Sequence, residues 1–255
     1  MWEEFLKFIF FVLNWLHGFV GDWGIAIILI TIIFRILIYP ITRKQFKSTY
    51  AMQKIQPQMA AIKAKYADDP AKQQEEMMKL YAEVKFNPLS GCLPMLLQMP
   101  IFIALFQVLS NLQKYIGETE EAITFLGIVP DLTKAPQAVF SFSLEGVVAV
   151  IPYVILVLLF GVSMLIPMLL NKNTEKQTKM ITGVMSIMMI GFGWISPAGV
   201  LLYWDASSLI GVAQQALTQR YLKKKDEEQE AIEIKPIKVE VERKEHKARP
   251  TKKNK

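Results

Sequence analysis

The fold class this sequence predicts is all-α: a polytopic membrane protein with five transmembrane helices around a hydrophilic groove, an N-terminal interfacial helix and a cytoplasmic helical hairpin. Three observations carry it. Hydrophobic residues make up 52% of the 255. The charges are gathered into two blocks and a few short gaps instead of being spread along the chain. Four charge-poor regions have the length a bilayer demands, roughly 20 apolar residues for about 30 Å of hydrocarbon.

Residues 1–21 come first. On a helical wheel Glu3, Glu4, Lys7, Asn14, His17 and Asp22 fall on one side, with Phe5, Ile9, Val12, Leu13, Leu16, Phe19 and Val20 mostly opposite. That is the pattern of an amphipathic helix lying in the external membrane interface. Phe10 and Phe11 intrude on the polar face, which leaves a sixth, protein-buried span as the other reading. His17 reads as interfacial and not as a ligand. Glu3 and Glu4 stand in place of a basic leading region and no small-residue cleavage site follows, which argues against a cleaved signal peptide.

Spans are predicted at 22–42, 90–112, 147–170, 180–195 and 198–219. The first carries one charge, Arg35. The region from Met180 to Gln219 is twice too long for one span, and Ser196-Pro197-Ala198-Gly199 marks a turn inside it, so it reads as a tight helical hairpin. Its first arm is short and needs a thinned bilayer or a tilted neighbour.

Within 43–86, Met52, Ile55, Met59, Ile62 and Tyr66 recur at helical spacing, Asp68-Asp69-Pro70 interrupts, and Met77, Leu80, Tyr81 and Val84 resume. Asp69 as N-cap with Pro70 at the first helical position restarts a helix. The prediction is a two-helix hairpin with an apolar seam, its first arm kinked at Pro57. The external segment 113–146 is polar and rich in turn formers, including Pro130 and Pro136, and builds no domain of its own. A short loop, 171–179, links the third and fourth spans. Residues 222–255 alternate Lys, Arg and Glu with little apolar content, a composition expected to be disordered or weakly helical. This tail reads either as a solubilising end or as a binding segment for anionic lipid or ribosomal RNA.

Orientation follows from the cations, because loops rich in Lys and Arg stay inside. Nine lie between Arg43 and Lys85, three at Lys172, Lys176 and Lys179, and thirteen from Arg220 onward, against Lys7, Lys114 and Lys134 on the other side. The N-terminus is therefore expected outside and the C-terminus in the cytoplasm of a bacterial plasma membrane. Topology alone accounts for the net charge of +6, and nucleic acid need not be invoked. With Cys92 the single cysteine, a disulfide framework and a paired-thiol metal site are excluded. There is no P-loop, nor any Ser/Lys, Asp/Asp or HExxH constellation. No cofactor and no enzymatic activity are expected.

Arg35 is the residue that most needs explaining, since a charge deep in a span costs about 2.5 to 3.5 kcal/mol on insertion scales. Thr31 and Tyr39, four residues to either side, share its face and suggest a polar stripe. The other reading is a side chain that snorkels to the inner headgroups. Polar residues also gather elsewhere: Gln98 in the second span, and in the fifth Tyr203, Ser207 and Gln214 on one stripe beside Trp204, Ser208 and Gln215 on the next. Each alone could be a hydrogen bond gluing helices together. Jointly with Arg35 they favour a wet groove. Asp205, the only intramembrane acid, sits about 10 Å from Arg35 along the normal at 1.5 Å per residue, so a direct salt bridge is not favoured.

The run Asn87-Pro88-Leu89-Ser90-Gly91-Cys92-Leu93-Pro94-Met95-Leu96-Leu97-Gln98-Met99-Pro100-Ile101-Phe102 resembles the signature of the YidC family of membrane protein insertases, in its minimal five-span bacterial form. Pro197 to Gln215, with Leu202-Tyr203-Trp204, is similar to the family's final span, and Lys65-Tyr66-Ala67-Asp68-Asp69 with Glu76-Met77-Met78-Lys79-Leu80-Tyr81 to its hairpin. The resemblance runs from Gly21 to Tyr221. It implies a groove in which Arg35 attracts acidic residues of a client while Gln98 and Trp204, with Thr31, Tyr203, Ser207 and Ser208, line the path. It further implies an apolar slide with Met185, Met188 and Met189, and a hairpin receiving clients through Met59, Tyr66, Met77 and Met78. The implied partners are nascent membrane proteins, membrane lipids, the Sec translocon and, through the basic tail, the ribosome. Ser208 stands where many relatives have Asn, and Asp205 is an unusual acid beside Trp204. A solute or proton transporter pairing Arg35 with Asp205, or a structural assembly subunit, are the readings from other classes.

Overall fold

The computed structural model describes residues 1–83, 93–117, 123–166 and 176–233. Among these the elements are helical throughout: α1 (Trp2–Val20), α2 (Trp23–Lys65), α3 (Pro70–Glu83), α4 (Leu93–Ser110), the short α5 (Leu112–Ile116) and α6 (Pro136–Val139), α7 (Leu144–Ser163), α8 (Lys176–Ile195) and α9 (Ala198–Glu233). The stretch from Asn87 to Cys92 and the end of the basic tail lie outside the described residues.

α1 packs Leu6, Ile9, Leu13 and Leu16 into the main core, and its end is set by Gly21, in the left-handed region at φ 69 with its N–H on His17 O. Trp2 donates to Gln107 at 2.9 Å and Phe10 stacks on Tyr115, fastening α1 to α4 and α5. The helix is apolar on a second side as well, where Phe8, Phe11, Trp15 and Phe19 are exposed. The wheel anticipated one apolar face, yet a helix held between a protein core and lipid needs two.

α2 differs from the expected division at residues 42 and 43. It runs unbroken for 43 residues through Pro40 and Pro57, about 65 Å at 1.5 Å per residue, so span and first hairpin arm are one rod. Each proline removes a single backbone bond. Pro57 is exposed, away from the seam, and Gln, Met, Ala and Lys around it are good helix formers. The second arm starts where anticipated, with the Asp69 carboxylate accepting the Lys72 N–H at 3.0 Å. Ile55, Met59 and Leu80 form the buried seam, with Met52, Ile62, Met77 and Tyr81 packed against it.

α7 and α8 touch where they carry small residues. The Ser186 hydroxyl donates to Gly161 O at 2.7 Å, and Ile190 fills the space a Cβ on Gly161 would need. The turn at Ser196 and Pro197 then sends α9 back through the bundle. α9 does not stop at residue 219 but stays helical to Glu233, so residues 222–233, whose composition suggests disorder or weak helix in isolation, are helical here. A neighbour supplies the reason. The α9 extension lies along the projecting half of α2, with Arg43 over the Tyr221 ring, Tyr50 donating to Asp226 at 3.0 Å and Lys54 paired with the same carboxylate.

The core joins Ile27 and Ile30 of α2, Leu105 and Leu109 of α4, Tyr153 and Phe160 of α7, and Leu201 to Tyr203 of α9. The loop between α5 and α6 adds Val129 and Leu132 to it, so this segment, although it forms no domain, is built into the bundle. Outward faces are apolar: Ile36 and Leu37 on α2, Ile151 and Ile155 on α7, and Ile187 and Met188 on α8 are exposed, as lipid contact requires.

Candidate functional site

Arg35 projects from α2 onto α9. Its Nε donates to Ser207 Oγ at 2.9 Å, and its guanidinium lies over Gly211, where a Cβ would stand 3.1 Å from Nη1 and 3.2 Å from Cζ. Gln214, one turn on, donates its amide to Arg35 O at 3.2 Å, and Tyr39 shares a 3.1 Å hydrogen bond with Thr218. On the other side of Ser207, the Gln98 amide of α4 donates to the Tyr203 hydroxyl. Tyr203, Ser207, Gly211, Gln214 and Thr218 are spaced four, four, three and four apart, which places them on one face of α9. α2 and α9 are thus joined by a polar zipper through an apolar bundle, with α4 adding to one end.

The charge balance of this zipper is one-sided. Among the described residues no carboxylate pairs with Arg35, whose side chain is only partly buried. Asp205 is 6% exposed, and neither of its oxygens has a hydrogen-bond partner among the described residues. The guanidinium is hydrogen-bonded by a neutral hydroxyl and keeps its charge available to an anionic group that comes to it.

Other anticipated residues are placed differently. Thr31 is fully buried and its hydroxyl donates back to Ile27 O at 2.6 Å, so it offers nothing to the Arg35 stripe. A threonine inside a helix takes this bond when no other acceptor is near. Trp204 packs within an aromatic cluster. Its ring meets Phe102 and Phe160 edge-on at 5.5 and 5.3 Å, within the apolar packing between α4 and α7. Ser208 is half-buried on the neighbouring stripe. Met185 and Met188 are exposed on α8, while Met189 packs against the core. In the hairpin, Met59 and Met77 belong to the seam, Met78 is exposed, and the Tyr66 ring lies at the tip beneath the ammonium groups of Lys65 and Lys72, at 5.2 and 5.5 Å. Gly211 and Thr218 were not singled out from sequence. Their spacing from Tyr203 and Ser207 was the available signal, but a glycine offers no polar atom to look for.

No group of three or more His, Cys, Asp or Glu that could hold a metal ion occurs among the described residues. Tyr203 and Ser207 are buried and engaged by Gln98 and Arg35, so it is the partly exposed Arg35 guanidinium that offers charge to an outside group.

Comparison with known proteins follows the same lines. The chain is 39% identical over 228 residues to the membrane protein insertase YidC of Haemophilus influenzae (strain PittEE), covering 88% of this chain and 38% of that protein. It is 38% identical over 210 residues to the YidC of Aromatoleum aromaticum, covering 81% of this chain and 34% of that one. The chain thus spans well under half the length of these relatives. A crystal structure of an active YidC insertase with its first transmembrane domain resolved matches with a TM-score of 0.61 and 31% identity, over 84% of this chain and 46% of that one. The model of the 60Kd inner membrane protein family matches residues 15–226, most of the bundle and its hairpin, and the chain belongs to this family, that of the YidC proteins.

Proposed function

We propose that this chain is a membrane protein insertase: it helps newly made membrane proteins enter the bilayer by giving their short polar segments a hydrophilic path beside Arg35. The carrying observation is a half-buried guanidinium in an apolar bundle, hydrogen-bonded to Ser207 and without a paired acid among the described residues. A client segment bearing Asp or Glu would gain an ion pair there while its apolar part moves along the exposed α8 face, with Met185 and Met188, into lipid. Client hydrophobicity and the membrane potential supply the driving force, and no covalent chemistry is involved. The projecting α2–α3 hairpin, with Met78 exposed near its seam, receives clients from the cytoplasm. That topology places the N-terminus outside, and it rests on the excess of Lys and Arg in 43–85 and in the tail. Work beside the Sec translocon, and ribosome binding through the basic tail, fit the same reading.

The test is reconstitution in liposomes with a single-span client carrying a short acidic N-terminal tail. Arg35→Ala should slow translocation of that tail about tenfold, the equivalent of one lost ion pair of roughly 1.4 kcal/mol, whereas Arg35→Lys retains most of it. A neutral-tailed client should be much less affected by either change. Equal insertion by wild type and Arg35→Ala for both clients would remove Arg35 from the mechanism, and insertion no better than in protein-free liposomes would remove the function.

A further inference from the structure

The projecting hairpin has an open cleft of about 300 Å³ on one side, at the lower end of the range in which ligands are held. Gln58, Ala61 and Ile62 of α2 line one wall, and Glu76, Lys79, Leu80 and Glu83 of α3 the other. Its floor is apolar: Leu80 is buried and Ile62 half-buried, both belonging to the seam. Its rim is acidic. Lys79 pairs with Glu76 at 2.9 Å and with Glu75 at 2.7 Å, while Glu83 has no ion pair among the described residues. Three carboxylates thus surround one ammonium, which suits an apolar segment that brings cations of its own.

The α9 extension leads towards this cleft. α2 and α9 run side by side in the same direction, with Arg35 on Ser207, Tyr39 on Thr218 and Lys54 on Asp226. Tyr50 and Lys54 lie on the α2 face that α9 covers, and Gln58 and Ala61 continue that face at helical spacing. From Asp226 to Glu233 is the same number of residues as from Lys54 to Ala61, so the end of α9 and the cleft stand at about the same height at 1.5 Å per residue. The sequence that follows, outside the described residues, is Ile234-Lys235-Pro236-Ile237-Lys238-Val239-Glu240-Val241. Pro236 disfavours helix at Lys235, and from Ile237 apolar and charged residues alternate, the pattern of an extended segment with one apolar side. Ile237 is within a reach of about 14 Å from Glu233, more than the diameter of one helix. A segment tethered so close is presented at roughly millimolar concentration, so weak contacts suffice to seat it.

We propose that the hairpin cleft is a docking site for the chain's own tail: residues 234–241 lay Ile237 and Val239 on the Ile62 and Leu80 floor, while Lys235 and Lys238 meet the rim carboxylates of Glu76 and Glu83. Docking requires only the hairpin and not the path beside Arg35, and its test needs no client. The full chain carrying Cys92→Ser is reconstituted in zwitterionic liposomes, and disulfide formation between Gln58→Cys and Ile237→Cys is timed under a mild oxidant. A disulfide within one chain should form on the order of tenfold faster than one between Ile237→Cys and Ala60→Cys, an exposed position on the opposite side of α2. Glu76→Lys/Glu83→Lys should slow the Gln58→Cys pairing about tenfold, and adding Lys235→Glu/Lys238→Glu should restore it. Tethering without docking predicts a rate indifferent to the rim charges, and that result overturns the proposal. Charge reversal that is not rescued, or Ala60→Cys pairing equally fast, overturns it as well. Disulfides formed between chains would assign the cleft to a second copy, and loss of the intrachain disulfide on including phosphatidylglycerol would assign the tail to lipid; either outcome also overturns it.

Discussion

Asp205 shows how costly a single side chain can be in this setting. A carboxyl group inside the bundle with neither oxygen partnered forgoes about 1–3 kcal/mol that a hydrogen-bonded or apolar replacement would keep. Asp205→Leu is therefore expected to raise the thermal unfolding midpoint of the purified protein in detergent, with Asp205→Asn giving a smaller gain. If Asp205→Leu unfolds earlier than wild type, the carboxyl has a stabilising partner and the cost argument fails. Arg35 and the Tyr203, Ser207 and Gln214 stripe were legible from sequence because a helix repeats on itself, and a polar residue in an apolar run declares the face it sits on. Thr31 was misplaced by the same rule: it shares Arg35's face, but a hydroxyl can satisfy itself on its own helix. Sequence left Trp204 readable as groove lining or as core, and the structure adds its edge-on contacts with Phe102 and Phe160. Asp22 was read only as part of the first helix's polar face; that its carboxylate caps α2 at the Ile25 N–H and accepts the Leu126 N–H, 104 residues away, was not legible from local spacing.

At the level of elements, the hairpin was read nearly complete, because its restart at Asp69 and Pro70 and its seam are local patterns. Leu80 is the seam residue contributed by α3, and Leu80→Ala should loosen the arm by about 2–4 kcal/mol, seen as faster amide exchange in α3 with α7 unchanged. The continuity of α2 and the helical extension of α9 were not legible, since each depends on the other: a Lys- and Glu-rich run gains helix when a neighbour offers Tyr50 and Lys54 to Asp226. That clamp has a pH dependence of definite sign. The bond to Lys54, assisted by that to Tyr50, holds the Asp226 carboxyl below its ordinary 3.8. A depressed carboxyl contributes above its unfolded-state value and loses its contribution as pH falls through the folded one. Exchange protection in α9 beyond Tyr221 should thus be constant from neutrality down to about pH 4 and decline below it. Asp226→Asn should show the weaker protection near neutrality and converge with wild type once the wild-type carboxyl is protonated.

For the whole molecule, the order of the apolar runs follows from where charges interrupt them, but α2, continuous through Arg43 and Lys44, shows that charges do not mark where a helix ends. Which helices become neighbours is a matter of packing. That α2 pairs with α9 from Ile27 to Lys54, and that residues 123–134 are drawn into the core, required coordinates, because the first rests on side chains 172 to 179 residues apart and the second mainly on bonds to backbone atoms. Sidedness belongs to this scale too, and it is carried by a sum of charges and not by any one of them. Nine Lys and Arg between 43 and 85 oppose Lys114 and Lys134 on the next loop, a bias that predicts a cytoplasmic hairpin. Leu126, in the turn between Phe125 and Val129, and Met78, on α3, are both exposed and would lie on opposite sides of the membrane in that arrangement. In a background with the single cysteine replaced, Cys92→Ser, a membrane-impermeant maleimide should label Leu126→Cys in intact cells and Met78→Cys only after permeabilisation. Labelling of Met78→Cys from outside would invert the topology and place the opening beside Arg35 on the wrong face for a client made in the cytoplasm.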